Sequence, residues 1–403
     1  MSAPRDRVDP APRSGREPSE RLDWRTRLIR AGAGAPGTFR SLAPPIHRGS
    51  TVLFENFASV ADDWRPSSGY AYGLYGTPTT RELGARLADL EGARHTFVTP
   101  SGQAAIALVY LAYARSGAHV LLPQNAYGSG AELAQDLLSG LGIRVETYAA
   151  GIGAGIAAAI REDTALVWCE SPGSVTMEIE DVPAIVRAAH ARGVPVAIDN
   201  TYSAGVLFDA FAHGVDVSIQ ALTKFVGGHS DLLLGSVSVA DAAGFERVGR
   251  AFAQLGLNAS PDDCALALRG LQTLAVRLEA LERNALEVAR WLRARPEVEQ
   301  VLHPALPECP GHEIWKRDFG GSSSVFSIVL RPEWSPERIA RWLDALRLFG
   351  IGFSWGGTAS LAMAYPRLTR LDGGRGPRLV RLNVGLEAPV DLLADLAQAF
   401  QAA

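Results

Sequence analysis

The stretch "ALVWCESPGSVTMEIEDVPAIVRAAHARGVPVAIDNT", residues 165–201, decides the fold. A short apolar run, "ALVWCESP", is followed by the amphipathic "DVPAIVRAAHARG" and then by a second apolar run, "VPVAIDNT". Short apolar runs alternating with helical stretches of 10–15 residues predict βα units and a mostly parallel sheet, with ligands at the carboxyl ends of its strands. Upstream the same rhythm holds. "HTFVTPSG" leads into "QAAIALVYLAYARSG", and "HVLLPQ" is followed after a loop by "AELAQDLLSGLG". Downstream comes "SIQALTKFVGGHSD", and around residue 265 the pattern changes to one long helix, "CALALRGLQTLAVRLEALERNALEVARWLRA". Beyond it, "SSSVFSIVL", "FGIGFSWGG" and "LVRLNVGLE" are separated by helical stretches. The organisation expected is a disordered tail over 1–25, an N-terminal segment over 26–75, a large α/β domain over 76–265 and a smaller α+β domain over 266–403.

Composition bounds the function. The chain has 403 residues, 47% hydrophobic and 20% charged, with a net charge of −4, as in ordinary soluble globular proteins. That balance gives no reason to expect a nucleic-acid or membrane partner and points to small molecules. The longest apolar run, "AAIALVYLAYA", is too short to span a bilayer. The first twenty residues are rich in Pro, Arg and Ser and hold no apolar signal core, so the expected location is the cytoplasm. Cys169, Cys264 and Cys309 are odd in number and lack ligand spacing, and the eight histidines form no HExxH pattern. No metal is expected, and His229 is read as ordering its loop.

Lysine usage singles out one residue. Of 39 basic residues only Lys224 and Lys316 are lysines. A lysine can lose its proton when its surroundings lower the pKa, and it then attacks carbonyls to form Schiff bases; a guanidinium stays charged. Lys224 therefore reads either as a surface lysine beside a glycine turn or as a nucleophile. Asp199, at the end of "VPVAID", reads as a helix cap or as the partner of a pyridinium nitrogen. Ser101 and Gly102 precede a helix, which is a turn or a phosphate cradle. Tyr127, in a loop after a strand, either packs or stacks on a flat cofactor. Together the sharper readings compose a pyridoxal phosphate (PLP) site.

These stretches resemble the Cys/Met-metabolism PLP enzymes from about residue 26 to the C-terminus. "SIQALTKFVGGHSD" looks like the family's PLP-lysine signature and "AIDNTYSAGVLF" like its pyridinium-Asp strand; "ESPGSVTMEIEDVPAI" and "FSWGG" resemble its cystathionine β-lyase branch. The resemblance implies the PLP-dependent transferase type I fold, similar to aspartate aminotransferase. It makes Lys224 the Schiff-base lysine, Asp199 the ring-nitrogen partner and Tyr127 the stacking ring. The N–H groups of Gly102 and Gln103, with the Thr223 hydroxyl, would hold the phosphate, and Ser174 would lie near the ring oxygen. Tyr72 would reach the phosphate of a neighbouring subunit in a homotetramer of dimers with shared sites. Arg381 would clamp the substrate α-carboxylate, with Ser354 and Trp355 nearby.

Two positions depart from the family pattern. Leu74 stands where an arginine commonly contacts the phosphate, and Ala221 where many members have serine. The activity implied is β-elimination of L-cystathionine to homocysteine, pyruvate and ammonia, in methionine biosynthesis. Lys224 would move the Cα proton and Lys224 or Tyr127 would protonate the leaving thiolate, with Tyr72 helping to deprotonate the incoming amine. The alternatives are a γ-acting relative (cystathionine γ-synthase, cystathionine γ-lyase or a homoserine-ester sulfhydrylase) and a PLP-fold protein whose chemistry is vestigial.

Overall fold

The computed structural model describes residues 23–29, 42–60, 63–371 and 374–403. Most of the tail expected over 1–25 lies outside the described residues, although Trp24 already opens a short helix, Trp24–Ile29.

Seven strands form the larger sheet: β1 His95–Thr99, β2 His119–Pro123, β3 Arg144–Tyr148, β4 Thr164–Glu170, β5 Val196–Asp199, β6 Val217–Gln220 and β7 Gly235–Val239. Their spatial order is β1-β7-β6-β5-β4-β2-β3. Every neighbouring pair is parallel except the two that β7 makes, with β1 and β6. Six strands, all but β7, therefore deliver their carboxyl ends to one edge. β2, β5 and β6 are buried at every position, so they carry the near-continuous apolar runs of a sheet covered on both faces.

Helices cover this sheet as the alternation predicts. The helix Gly102–Tyr113 packs Ile106, Val109 and Tyr110 against Val120, Trp168 and Ile219 on one face. On the other face the helix Val182–His190 packs Ile185 and Ala189 against Val167, Val196 and Ile198. Asp181 caps the latter, accepting the Ala184 N–H at 3.1 Å, an arrangement worth about 1 kcal/mol.

A second, smaller sheet follows: β8 Val298–Leu302, β9 Val325–Leu330, β10 Gly350–Ile351, β11 Leu361–Ala364 and β12 Leu379–Asn383. Its order is β10-β11-β12-β9-β8, and all pairs but β10 with β11 are antiparallel. Phe326, Trp334, Trp342, Val380 and Phe400 lie in its core.

Two helical readings change. The long helix after 265 is two, Pro261–Gln272 and Leu274–Arg293, broken at Thr273 (φ −110°). The break turns the Gly270 carbonyl toward the Arg277 guanidinium, whose Nη2 donates to it at 2.7 Å while Nε donates to Thr273 Oγ1 at 3.1 Å. Likewise "AELAQDLLSGLG" is a short helix, Gly128–Leu133, that widens into a π-turn over Ala134–Leu138.

Candidate active site

The strand ends at the common edge carry most of the residues the sequence nominates. Gln220 ends β6, and the tight turn after it holds Lys224, whose N–H donates to the Ala221 carbonyl at 3.0 Å. Arg277 braces that turn from behind, its Nη1 donating to the Phe225 carbonyl at 2.7 Å. Gly228 (φ +71°) leaves room for it, since a Cβ there would meet Nη1 at 2.0 Å. Among the described residues Arg277 has no carboxylate partner, and burial lowers its pKa to about 10.

The Lys224 amine donates to Ser354 Oγ at 2.8 Å and lies 5.5 Å from the Trp355 ring centroid. Burial lowers its pKa to about 8; Arg381 pushes the same way and Asp199 opposes. A nitrogen placed so is partly unprotonated at neutral pH, as a nucleophile or a proton acceptor must be. Ser354 holds a left-handed backbone (φ +80°), and its carbonyl accepts from Arg381 Nη2 at 3.1 Å. The sequence placed Ser354 beside Arg381; the structure adds that it also anchors the lysine.

Asp199 ends β5, buried, next in register to Glu170 at the end of β4. The Thr201 N–H and hydroxyl both donate to Asp199 Oδ1, at 3.0 and 2.5 Å, and no described residue donates to Oδ2. Thr201 Oγ1 in turn accepts the Ala221 N–H at 2.9 Å, tying the carboxylate to the lysine turn. Burial raises the Asp199 pKa, with the Thr201 bonds and the Lys224 charge pulling it back. A protonated ring nitrogen is the cation that such a buried carboxylate lacks.

At the head of Gly102–Tyr113, Ser101 Oγ accepts the Ala104 N–H at 3.0 Å, while the N–H groups of Gly102 and Gln103 have no acceptor within the helix. A Cβ on Gly102 would stand 2.7 Å from the Ala221 Cβ, so the cradle admits only glycine. Thr223 lies on the same turn as Lys224 and exchanges hydrogen bonds with Leu234 at 3.2 Å. Tyr127 follows β2 with its ring half exposed; its N–H donates to Glu170 Oε2 at 2.6 Å. Ser174 follows β4 and donates its N–H to the Asn125 carbonyl at 2.8 Å. Lysine, orphan carboxylate oxygen, side-chain-free cradle and exposed ring fit PLP.

The comparisons with known proteins give the family. The sequence profile of the Cys/Met metabolism PLP-dependent enzymes matches residues 25–401. The chain belongs to this family. Within the family, it is similar to the cystathionine beta-lyase of Bordetella avium, 41% identical over 367 residues, covering 89% of this chain and 92% of that one. It is 39% identical over 386 residues to the cystathionine beta-lyase of Escherichia coli (strain K12), covering 93% and 97%. Among solved structures, the cystathionine gamma synthase of Xanthomonas oryzae pv. oryzae matches with a TM-score of 0.88 at 30% identity, over 95% of this chain and 98% of that one. PLP is the cofactor of the family, and the two-sheet fold is the fold of its members.

Not every nominated residue joins the cluster. Tyr72 is half exposed and pairs with Thr51 in an isolated bridge; among the described residues it makes no hydrogen bond or ring contact with the Lys224 group. Leu74 lines a cavity of about 300 Å³ in its own chain, beside Tyr75, Arg81, His95 and Phe97. Sequence reasoning missed Glu170, Thr201, Arg277, Arg370 and Tyr365, whose ring centroid lies 5.5 Å from the Arg381 guanidinium. Glu170 and Thr201 sit inside motifs already noticed, at strand ends beside Ser174 and Asp199. Arg277 and Arg370 are two of 37 arginines, and no local pattern sets them apart.

No group of His, Cys, Asp and Glu among the described residues could hold a metal ion. The three cysteines are buried and free.

Proposed function

We propose that this protein is a PLP-dependent carbon–sulfur β-lyase that cleaves L-cystathionine to homocysteine, pyruvate and ammonia, serving methionine biosynthesis. The carrying observation is the Lys224 amine, fixed at 2.8 Å on Ser354 Oγ and set between Asp199 and the Arg381 charge. The cystathionine beta-lyases at 41% and 39% identity favour this reading over the γ-acting enzyme at 30%.

When bound, PLP supplies a protonated ring that takes up the electron pair left at the substrate Cα. Asp199, its carboxylate fixed by Thr201, would pair with the ring nitrogen and keep it protonated. The N–H groups of Gly102 and Gln103, with Thr223, would hold the phosphate, and Tyr127 and Ser174 would hold the ring. Arg381, buried on β12, takes the α-carboxylate bidentately, while Trp355 walls the lysine side. Lys224, whose amine burial leaves easier to deprotonate, would remove the Cα proton. The departing sulfur takes a proton from Lys224 or Tyr127, and hydrolysis of the three-carbon product gives pyruvate and ammonia.

The proposed assembly is a homotetramer of dimers sharing sites, in the cytoplasm. Tyr72 on the 26–75 segment would serve the neighbour's phosphate and deprotonate the incoming amine. Residues 76–265 would be the cofactor domain and 266–403 the second domain. In support, Leu53 and Phe57 on this segment are 90% and 92% exposed, an apolar surface that a second copy would cover. No helix among the described residues is long and apolar enough to cross a membrane.

The test is product analysis with L-cystathionine and PLP-loaded protein. Pyruvate with homocysteine is expected. 2-Oxobutyrate with cysteine would move the assignment to γ-elimination, in which Lys224 would also remove a Cβ proton; absence of turnover with any sulfur amino acid or homoserine ester would favour a vestigial site.

A further inference from the structure

The loop 171–178, between β4 and the helix Val182–His190, carries Ser174 in a conformation its sequence does not favour. Val175 and Met177 both have left-handed backbones, at φ +71° and +63°. A β-branched residue rarely adopts that region, so the surroundings must hold it there. What holds it comes from the second sheet. Ser327 Oγ, on β9, donates to the Val175 carbonyl at 2.6 Å, and Cys309 Sγ donates to the Met177 carbonyl at 3.4 Å. Val175 and Met177 are buried against Leu302, Val325, Val329 and Leu379.

Arg370 completes the clasp. It follows β11, and its Nη2 donates to the Ser174 carbonyl while Nη1 donates to the Gln124 carbonyl at 3.3 Å. One guanidinium thus bridges the loops after β4 and β2, the two that carry Ser174 and Tyr127. The same loops meet again where Ser174 N–H donates to the Asn125 carbonyl and Tyr127 N–H to Glu170. Arg370 Nε is buried with no partner among the described residues, and burial lowers the guanidinium's pKa although Glu178 and Glu170 oppose the shift. An arginine held at this cost of desolvation fits a fixed geometric task.

We infer that Arg370 is a positioning residue: with Ser327, it locks the 171–178 loop from the second sheet and so sets Ser174 and Tyr127 against the cofactor ring. The inference rests on the PLP site proposed above but not on cystathionine as the substrate, and its test needs no substrate. PLP is titrated into apo-protein of the parent, Arg370→Ala, Arg370→Lys and Ser327→Ala, following tryptophan fluorescence; the pH midpoint of the bound cofactor's visible absorbance is then recorded.

For Arg370→Ala the PLP Kd should rise about tenfold or more, as the Ser174 and Gln124 carbonyls lose the donor that ties their two loops together. Its absorbance midpoint should move by at least about half a unit. Arg370→Lys, able to reach one carbonyl at a time, should fall between it and the parent. If Arg370→Ala yields no soluble protein, Ser327→Ala carries the test, with both quantities shifted in the same direction. Parent-like Kd and midpoint in the folded variants would overturn the inference. So would equal shifts in Arg367→Ala, an exposed neighbour outside the clasp.

Discussion

Lys224 is an amine whose proton is contested by two neighbours of opposite sign. Arg381 disfavours the ammonium and Asp199 favours it, on top of burial that lowers the pKa to about 8. Attack on an aldehyde needs the neutral amine, so the rate at which apo-protein takes up PLP should climb as pH rises through about 8 and level above it. Removing the arginine with Arg381→Ala should let Lys224 hold its proton to higher pH and raise that midpoint. Asp199→Asn removes the favourable charge and should lower it. Stopped-flow uptake across pH 6–10 reads both; midpoints that move the other way would contradict this electrostatic arrangement. Arg381→Ala should also cost about a hundredfold or more in kcat/KM while cofactor stays bound, because a bidentate charge-assisted contact to the substrate is lost. An arginine serving only to pack β12 would instead show itself in the melting temperature.

At the scale of elements, the site is a property of where strands stop. Thr99, Pro123, Glu170, Asp199 and Gln220 are the last residues of β1, β2, β4, β5 and β6, and each is followed within a few residues by a group of the cluster. Gly102 is the tightest of these joints. Gly102→Ala should drive the helix head away from Ala221, weakening PLP binding about tenfold or more with little change in apo-protein melting. Equilibrium titration of PLP checks it, and unchanged affinity would place the phosphate elsewhere.

Much of this edge is legible in the chain, because "AIDNT", "PSGQ" and "LTKFVGG" put polar or glycine residues where apolar strand patterns end. The break at Thr273 is not legible. Helical periodicity runs through it unaltered, and its cause, a carbonyl turned toward Arg277 beneath the lysine turn, is a tertiary contact. The same holds for Arg370, whose partners Gln124 and Ser174 lie 246 and 196 residues away. Ser354 was legible by position but not by its bond to Lys224, which spans 130 residues.

At the scale of the whole molecule, the N-terminal segment leaves apolar side chains exposed and Tyr72 away from its own lysine. In the proposed tetramer of 42.9 kDa chains, a second copy would cover Leu53 and Phe57 and bring its own Tyr72 to this site. Light scattering should therefore return the mass of four chains. Phe57→Asp, placing a charge on a side chain 92% exposed in the isolated chain, should reduce the assembly and activity together. A fully active monomer would remove the shared-site account.

The central claim is that, of two lysines, Lys224 carries the cofactor. Reducing the PLP-loaded protein with borohydride and mapping the phosphopyridoxyl mass by peptide mass spectrometry tests it most directly. The label should appear on the peptide containing Lys224 and be absent from Lys224→Ala; a label confined to Lys316, or none at Lys224, would contradict the account.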